Sequence, residues 1–401
     1  MRFCAAAAST AGDEQEYTIM NVAVVPARSA PVREPIRVML VDDAAVVRRL
    51  VASWVGAQPD MQLVAALAGG RDALEQLEQL DPDVVILDIA MPDIDGLAVL
   101  PRLLQKKRNL IVLMVSTLTR RNAEISLRAL ALGAADYVAK PEGSGELASS
   151  ELFRSELFEK IRTLAARRNS MSSASRHRRL ARTPSPDRYG TKIAESPPRT
   201  WRAVQPVSPR VLLIGSSTGG PQALNTVLGA IGPVIDKAPV LIAQHMPPTF
   251  TTVLAEHLAR TSGRPAAEAK DGEPIRAGRI YVAPGGFHLR VGRRNGDPVI
   301  VLDDGPRINS CMPAVDALFS SAAAVWGPWN LGLVLTGMGS DGSAGAAQLV
   351  GAGGRVFVQD EASSVVWGMP GCIAQAGLAS AVLPLSQIAP RVVRLFAGGG
   401  A

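Results

Sequence analysis

Cysteine is almost missing from this chain: Cys4, Cys311 and Cys372 are widely separated and form no CxxC pair. That spacing excludes a disulfide framework and a thiolate zinc site of the paired-cysteine kind, and it suits a reducing compartment. No stretch approaches the roughly 18 consecutive apolar residues of a transmembrane helix. The alanine-rich CAAAASTA near the start, followed by Asp13, Glu14 and Glu16, is too weakly apolar for a secretory signal. Charged residues are also sparse, at 19% against a usual share of about 25%, whereas 47% are hydrophobic. Most of the 401 residues can therefore bury a core, and the length predicts two or three domains.

What positive charge there is, +6 overall, is local. Nine basic residues fall between Lys160 and Gly190 against the single acid Asp187, a balance of +8 that leaves the remainder at −2. No aromatic or recognition-helix pattern accompanies them, so the basicity reads as a solvated linker and no nucleic-acid partner is expected.

Periodicity divides the chain at that linker. Residues 1–34 lack sustained patterning and read as a disordered leader. From residue 35 to 167, short Val/Ile-rich runs (IRVMLV, DVVILD, NLIVLMVS, ADYVAK) alternate with helical segments, which predicts an α/β domain with a parallel sheet. Residues 168–209, rich in Ser, Pro and Arg, read as a flexible tether. A second series from 210 to 398 (RVLLIG, PVLIAQH, RIYVAP, LGLVLTGMG, RVFVQD) predicts a doubly wound, mostly parallel α/β domain with an antiparallel hairpin around GRRNGDPV.

In the first domain the strand ends carry the chemistry. Asp42 and Asp43 follow IRVMLV and Asp88 closes DVVILD. Residues just past the carboxyl ends of parallel strands converge on one crevice. Three converging carboxylates without His or Cys favour a hard cation such as Mg²⁺. Ser116 and Lys140, at two further strand ends, place a hydroxyl and an ammonium where they can clamp a phosphoryl group on Asp88.

These residues, in VDD (41–43), LDIAMPDIDG (87–96), VSTLT (115–119) and KP (140–141), resemble the response-regulator receiver domain, which implies a (βα)5 fold for residues 35–167. The resemblance implies that a histidine kinase supplies the phosphoryl group to Asp88, and that Asp42, Asp43, Asp88 and the Ala90 carbonyl hold Mg²⁺. Ala44 stands where members often have Ser.

In the second domain, GSSTGG after RVLLIG matches G-x-S-x-G at Gly215, Ser217 and Gly219, in a strand-turn-helix context with Pro221 early in the helix. Taken alone, this turn fits an exposed nucleophile, a phosphate-binding loop or a plain turn; the Lys-Ser/Thr of a Walker A loop is missing. Of four histidines, only His245 closes a strand, PVLIAQH, at the edge where Ser217 stands. An orienting acid should also follow a strand, which favours Asp341 in LTGMGSDG over Asp303, Asp304 and Asp360. Cys311 reads as an inert buried cysteine, because no histidine adjoins it in sequence.

With GSSTGGPQAL, QHMPPTF, YVAPGGFH, LTGMGSDG and EASSVVWGMP, the domain resembles the catalytic domain of the chemotaxis protein-glutamate methylesterases/deamidases. The resemblance implies Ser217 as nucleophile, His245 as base, Asp341 as orienter, and oxyanion support near Thr218 and Met338. It further implies demethylation of glutamate γ-methyl esters on methyl-accepting chemoreceptors with methanol release, a related deamidation of receptor glutamines, and no cofactor for hydrolysis. The expected setting is a phosphorylation-activated cytoplasmic protein recruited to membrane-bound receptor arrays, regulated by an intramolecular contact between receiver and catalytic domain. NSCMPAVD (309–316) departs from the HRPSVD of many members, with Met312 in place of an arginine. Two other readings stand beside this one: a phosphorylation-controlled binding module with an inactive site, and a serine esterase with another substrate.

Overall fold

The computed structural model describes residues 34–141, 151–180 and 207–398, with side chains in the helix 151–180 described through residue 168. The expected leader, and residues 181–206 of the expected tether, lie outside the described residues.

The first α/β series alternates β1 (Ile36–Val41), α1 (Ala45–Gly56), β2 (Met61–Leu67), α2 (Gly70–Leu80), β3 (Val84–Asp88), α3 (Gly96–Lys106), β4 (Ile111–Thr117), α4 (Arg120–Ala131), β5 (Asp136–Lys140) and α5 (Glu151–Leu180). Its sheet runs β2-β1-β3-β4-β5, all parallel. Because helices cover both faces, the central β3 is buried along its whole length, and its apolar run is unbroken rather than alternating. Strand order reverses between β1 and β3, which places Asp42 and Asp88 on either side of the switch-point crevice. The helix α5 continues to Leu180, past the expected domain end at Arg167 and into the segment read as tether. Arg, Ser, Met and Ala tolerate helix, and adding residues to an existing helix costs far less than starting one.

The second series comprises β6 (Val211–Ser216), α6 (Gly220–Leu228), α7 (Gly232–Ile235), β7 (Val240–Gln244), α8 (Phe250–Ser262), β8 (Ala266–Glu268), β9 (Ile280–Val282), β10 (His288–Arg294), β11 (Asp297–Asp303), α9 (Val315–Trp326), β12 (Asn330–Val334), α10 (Ser343–Gly351), β13 (Arg355–Gln359), α11 (Met369–Gln375), β14 (Ala381–Leu383) and α12 (Leu385–Phe396). Seven strands form a parallel sheet ordered β14-β13-β12-β6-β7-β9-β8. The expected hairpin is β10-β11, closed by Asn295 and Gly296, both at positive φ as a tight two-residue turn needs. Chain order departs in opposite directions from β6, so the loops after β12, β6 and β7 share the crevice.

The described residues from Pro35 onward belong to one compact unit. Tyr137 of β5 stacks on Phe250 of α8 at 4.7 Å between centroids, and Arg120 of α4 donates to both carboxylate oxygens of Glu256 at 2.7 Å. Val365, Val366 and Met338 from the second series join the core around Phe153, Leu157 and Ile161 of α5. Among the described residues no helix is long and apolar enough to cross a membrane.

Candidate active site

Ser217 leaves the buried end of β6, where Gly219 at φ 76° turns the chain into α6. A Cβ on Gly219 would lie 2.5 Å from Val365, and one on Gly337 would lie 2.9 Å from Ser217 Cβ. Gly219 therefore makes room for Val365, and Gly337 lets its backbone come close to the serine. The Ser217 amide donates to Thr336 O at 3.1 Å, which fastens the turn to the loop after β12. The His245 amide donates to Ser216 O at 3.0 Å and brings the imidazole to the same rim.

His245 and Asp341, 96 positions apart, meet directly: Nε2 lies 2.7 Å from Asp341 Oδ2. Asp341 is saturated with donors. Its Oδ2 also accepts from the Val315 amide at 2.6 Å, while Oδ1 accepts from the Asp316 amide, the Gly342 amide and Asn309 Nδ2. The first two amides of α9 thus aim at the carboxylate, where the positive end of a helix favours an anion. Burial pushes the Asp341 pKa up, but the His245 hydrogen bond and these amides outweigh it and hold the carboxyl below its ordinary value. For His245, burial lowers the pKa, whereas the Asp341 hydrogen bond and Cys311 more than offset it, leaving the imidazole at about 9.

Three findings were not legible along the chain. Gln244, buried at the end of β7, accepts from Ser216 Oγ and donates to both Ser217 O and His245 O, so one amide clamps the two loops together. Asn309, held in the left-handed region at φ 51°, donates Nδ2 to Asp316 Oδ2 at 3.0 Å and to Asp341 Oδ1 at 3.3 Å. It keeps two buried carboxylates from facing one another unbridged. We expect Asn309→Ala to lower kcat roughly tenfold with little change in KM, in line with about 1.5 kcal/mol for a hydrogen bond to a charged group. Steady-state kinetics check this, and an unchanged kcat would mean that Asp341 holds its position without the amide. Lastly, Cys311 is half-buried, and its Sγ lies 3.4 Å from His245 Nδ1. The absence of an adjoining histidine in sequence did not report this neighbour, because it lies 66 positions away.

Ser217 Oγ makes no hydrogen bond to another described residue; on the imidazole edge away from Asp341 stands Cys311 instead. The Thr218 and Met338 amides likewise have no partner among the described residues. The Thr218 hydroxyl turns out of the crevice and donates to Asp136 Oδ2 of the first domain at 2.7 Å, within a buried bond. Lys160 of α5 pairs with the same Asp136 oxygen at 3.1 Å and with Glu156 at 2.8 Å. Burial opposes its charge, and these two acids outweigh burial and raise its pKa. Thr163 Oγ1 donates to Met338 Sδ at 3.3 Å, so α5 lies over the second of the two proposed oxyanion loops.

At the other crevice, Lys140 Nζ lies 2.7 Å from Asp88 Oδ1 and 3.3 Å from Asp42 Oδ2. Oxygens of Asp42, Asp43 and Asp88 fall within 4.8 Å of one another. Burial, only partly countered by Lys140, pushes Asp42 and Asp88 above the ordinary carboxyl range. An all-oxygen donor set that resists carrying its negative charge unaided fits a hard divalent cation. Ala90 is exposed beside Asp88. Ser116 is buried, and its Oγ pairs with Ser126 Oγ of α4 at 3.0 Å.

The fold and its two crevices define a response regulator: a receiver joined to an α/β output domain. Residues 38–150 match the response regulator receiver domain and residues 212–392 match the CheB methylesterase family. A protein-glutamate methylesterase/protein-glutamine glutaminase from Nitrobacter winogradskyi is 53% identical over 411 residues, covering 92% of this chain and 96% of the relative. One of the same description from Rhodopseudomonas palustris strain HaA2 is 57% identical, over 94% of this chain and 99% of the relative. The crystal structure of the Thermotoga maritima CheB methylesterase catalytic domain is 40% identical, covers 47% of this chain and all of that one, and has a TM-score of 0.46. The chain belongs to the protein-glutamate methylesterase/protein-glutamine glutaminase family.

Proposed function

We propose that this chain hydrolyses glutamate γ-methyl esters of chemoreceptors through a Ser217 acyl-enzyme, and that phosphorylation of Asp88 activates it. The observation that carries this reading is the 2.7 Å His245–Asp341 pair on the rim where Ser217 ends β6. Asp341 holds Nε2–H, which leaves Nδ1 to take the Ser217 proton as Oγ attacks the ester carbonyl. The free Thr218 and Met338 amides support the oxyanion. The proton passes from His245 to the departing methoxide, and methanol leaves. Water, deprotonated by the same nitrogen, then cleaves the acyl-enzyme to glutamate and regenerates Ser217. A glutamine amide follows the same path with ammonia leaving.

Since the His245 pKa stands at about 9, its basic form at lower pH shrinks about tenfold per unit. The rate kcat/KM is therefore expected to rise with slope one up to a bend near pH 9. A pH profile of methanol release from methylated receptor membranes checks this; a bend near 6.5 would mean that Asp341 and Cys311 do not raise this imidazole above its ordinary value.

In the receiver, a histidine kinase donates the phosphoryl group. Asp42, Asp43, Asp88 and the Ala90 carbonyl would hold Mg²⁺, which the receiver family uses and which neutralises charge developing on the transferred group. Lys140 and Ser116 engage the phosphoryl oxygens. For Ser116 this means leaving Ser126, and so disturbing α4, the helix that contributes Arg120 to Glu256 and the Leu130 carbonyl to Gln222 Nε2 at 3.1 Å. Release of that face uncovers Thr218 and Met338 to the receptor. The work is done in the cytoplasm at receptor arrays.

A further inference from the structure

The spacing of cysteines along the chain excludes a paired-thiolate zinc site, but folding brings a thiol and an imidazole together. We propose that Cys311 and His245 form an inhibitory binding site for a borderline-soft divalent cation, with Zn²⁺ as the best match. This rests on the reading of His245 as the base.

Cys311 Sγ and His245 Nδ1 stand 3.4 Å apart. A tetrahedral zinc with Zn–S about 2.3 Å and Zn–N about 2.0–2.1 Å separates its sulfur and nitrogen ligands by roughly 3.5 Å. The two atoms are therefore already at the edge length the ion needs. The opposite ring nitrogen is bonded to Asp341 Oδ2 at 2.7 Å, which is the outer-shell partner that fixes the tautomer and orientation of a zinc-ligating histidine. Asp341 itself cannot swing away at low cost, since backbone amides and Asn309 hold both its oxygens.

The sulfur is held as firmly. Ile308 and Cys311 exchange backbone bonds of 3.2 and 2.8 Å across a turn, and Sγ also lies 3.3 Å from Asn309 O. Thiol, imidazole and carboxylate oxygen ligand atoms all fall within 4.8 Å of one another. On binding, Zn²⁺ displaces the thiol proton and, where the imidazole is protonated, the Nδ1 proton as well, and both pass to water. The thiolate and the Asp341 carboxylate together balance the dication. Coordination occupies the Nδ1 lone pair, so Ser217 loses its proton acceptor, and two positions on the metal stay open to water.

The test uses the full chain in excess Mg²⁺, which keeps Asp42, Asp43 and Asp88 occupied. Titration with Co²⁺ should give one equivalent of thiolate-to-metal charge-transfer absorption. Cys311→Ala and Cys311→Ser should both lose the band; Cys4→Ala, Cys372→Ala and Ser217→Ala should keep it. In parallel, Zn²⁺ should inhibit methanol release reversibly by chelator, and the half-inhibiting concentration should rise on the order of 10–100-fold in the Cys311 variants. A band that survives both Cys311 substitutions, or equal zinc sensitivity, overturns the proposal. Absence of hydrolysis without zinc would defeat the esterase reading alone, because the cobalt band reports the site independently.

Discussion

Ser217→Ala is expected to reduce methanol release from methylated receptors by roughly 10⁴-fold or more, with the protein still folded and still phosphorylated on Asp88. On the proposed mechanism the loss is this large because the hydroxyl forms the covalent bond, and neither the imidazole nor the oxyanion donors can replace it. Parts of such a unit do not contribute additively. His245→Ala should cost a similar factor, and the double variant Ser217→Ala/His245→Ala little more than either. Ser217 Oγ makes no hydrogen bond to another described residue, so the alanine leaves no described buried partner unsatisfied and stability should hardly change. Methanol release and receptor binding, measured together, separate the possibilities. Retained hydrolysis in the alanine variant removes the serine assignment. Hydrolysis absent from the wild type, with phosphorylation-dependent receptor binding intact, leaves a binding module.

The second large effect is activation. Asp136 holds the Thr218 hydroxyl and Thr163 of α5 contacts Met338, and on the proposed reading these contacts keep receptor glutamates from the oxyanion donors. Phosphorylating Asp88 in the full chain is expected to raise kcat/KM by roughly 5- to 150-fold, the span of typical coupling free energies between two sites. A fragment beginning at Arg210 should hydrolyse at least as fast as the phosphorylated chain. The exposed Arg120–Glu256 pair contributes little to closure, because water screens it; the Tyr137–Phe250 stack and the buried Asp136–Thr218 bond matter more. Glu256→Ala should accordingly leave the basal rate nearly unchanged, while Phe250→Ala should raise it. Equal rates for fragment and unphosphorylated full chain, at the same substrate and salt, exclude autoinhibition.

Much of the site was legible before folding because strand-end chemistry is local. A β-strand announces itself by an apolar run, and the residue after it must emerge at the carboxyl edge of a parallel sheet. That placed Asp42, Asp88 and Lys140 at one crevice and Ser217, His245 and Asp341 at another. The Asn295-Gly296 turn was readable for a similar reason, since few residue pairs accept two positive φ angles. The end of α5 was not, because the residues beyond Arg167 suit helix and coil nearly equally.

Composition, periodicity and strand-end residues by themselves determined two α/β domains, their order, the carboxylate crevice and the candidate hydroxyl, imidazole and carboxylate. Only the tertiary structure decided what touches them: Gln244 bridging two loops, Asn309 between two acids, Cys311 on the imidazole, and Asp136 drawing Thr218 away from the crevice. The physical reason is range. Strand propensity and turn geometry act over a few residues, whereas a hydrogen bond between residues 66 or 82 positions apart exists only after both sheets have twisted, packed and brought their edges together.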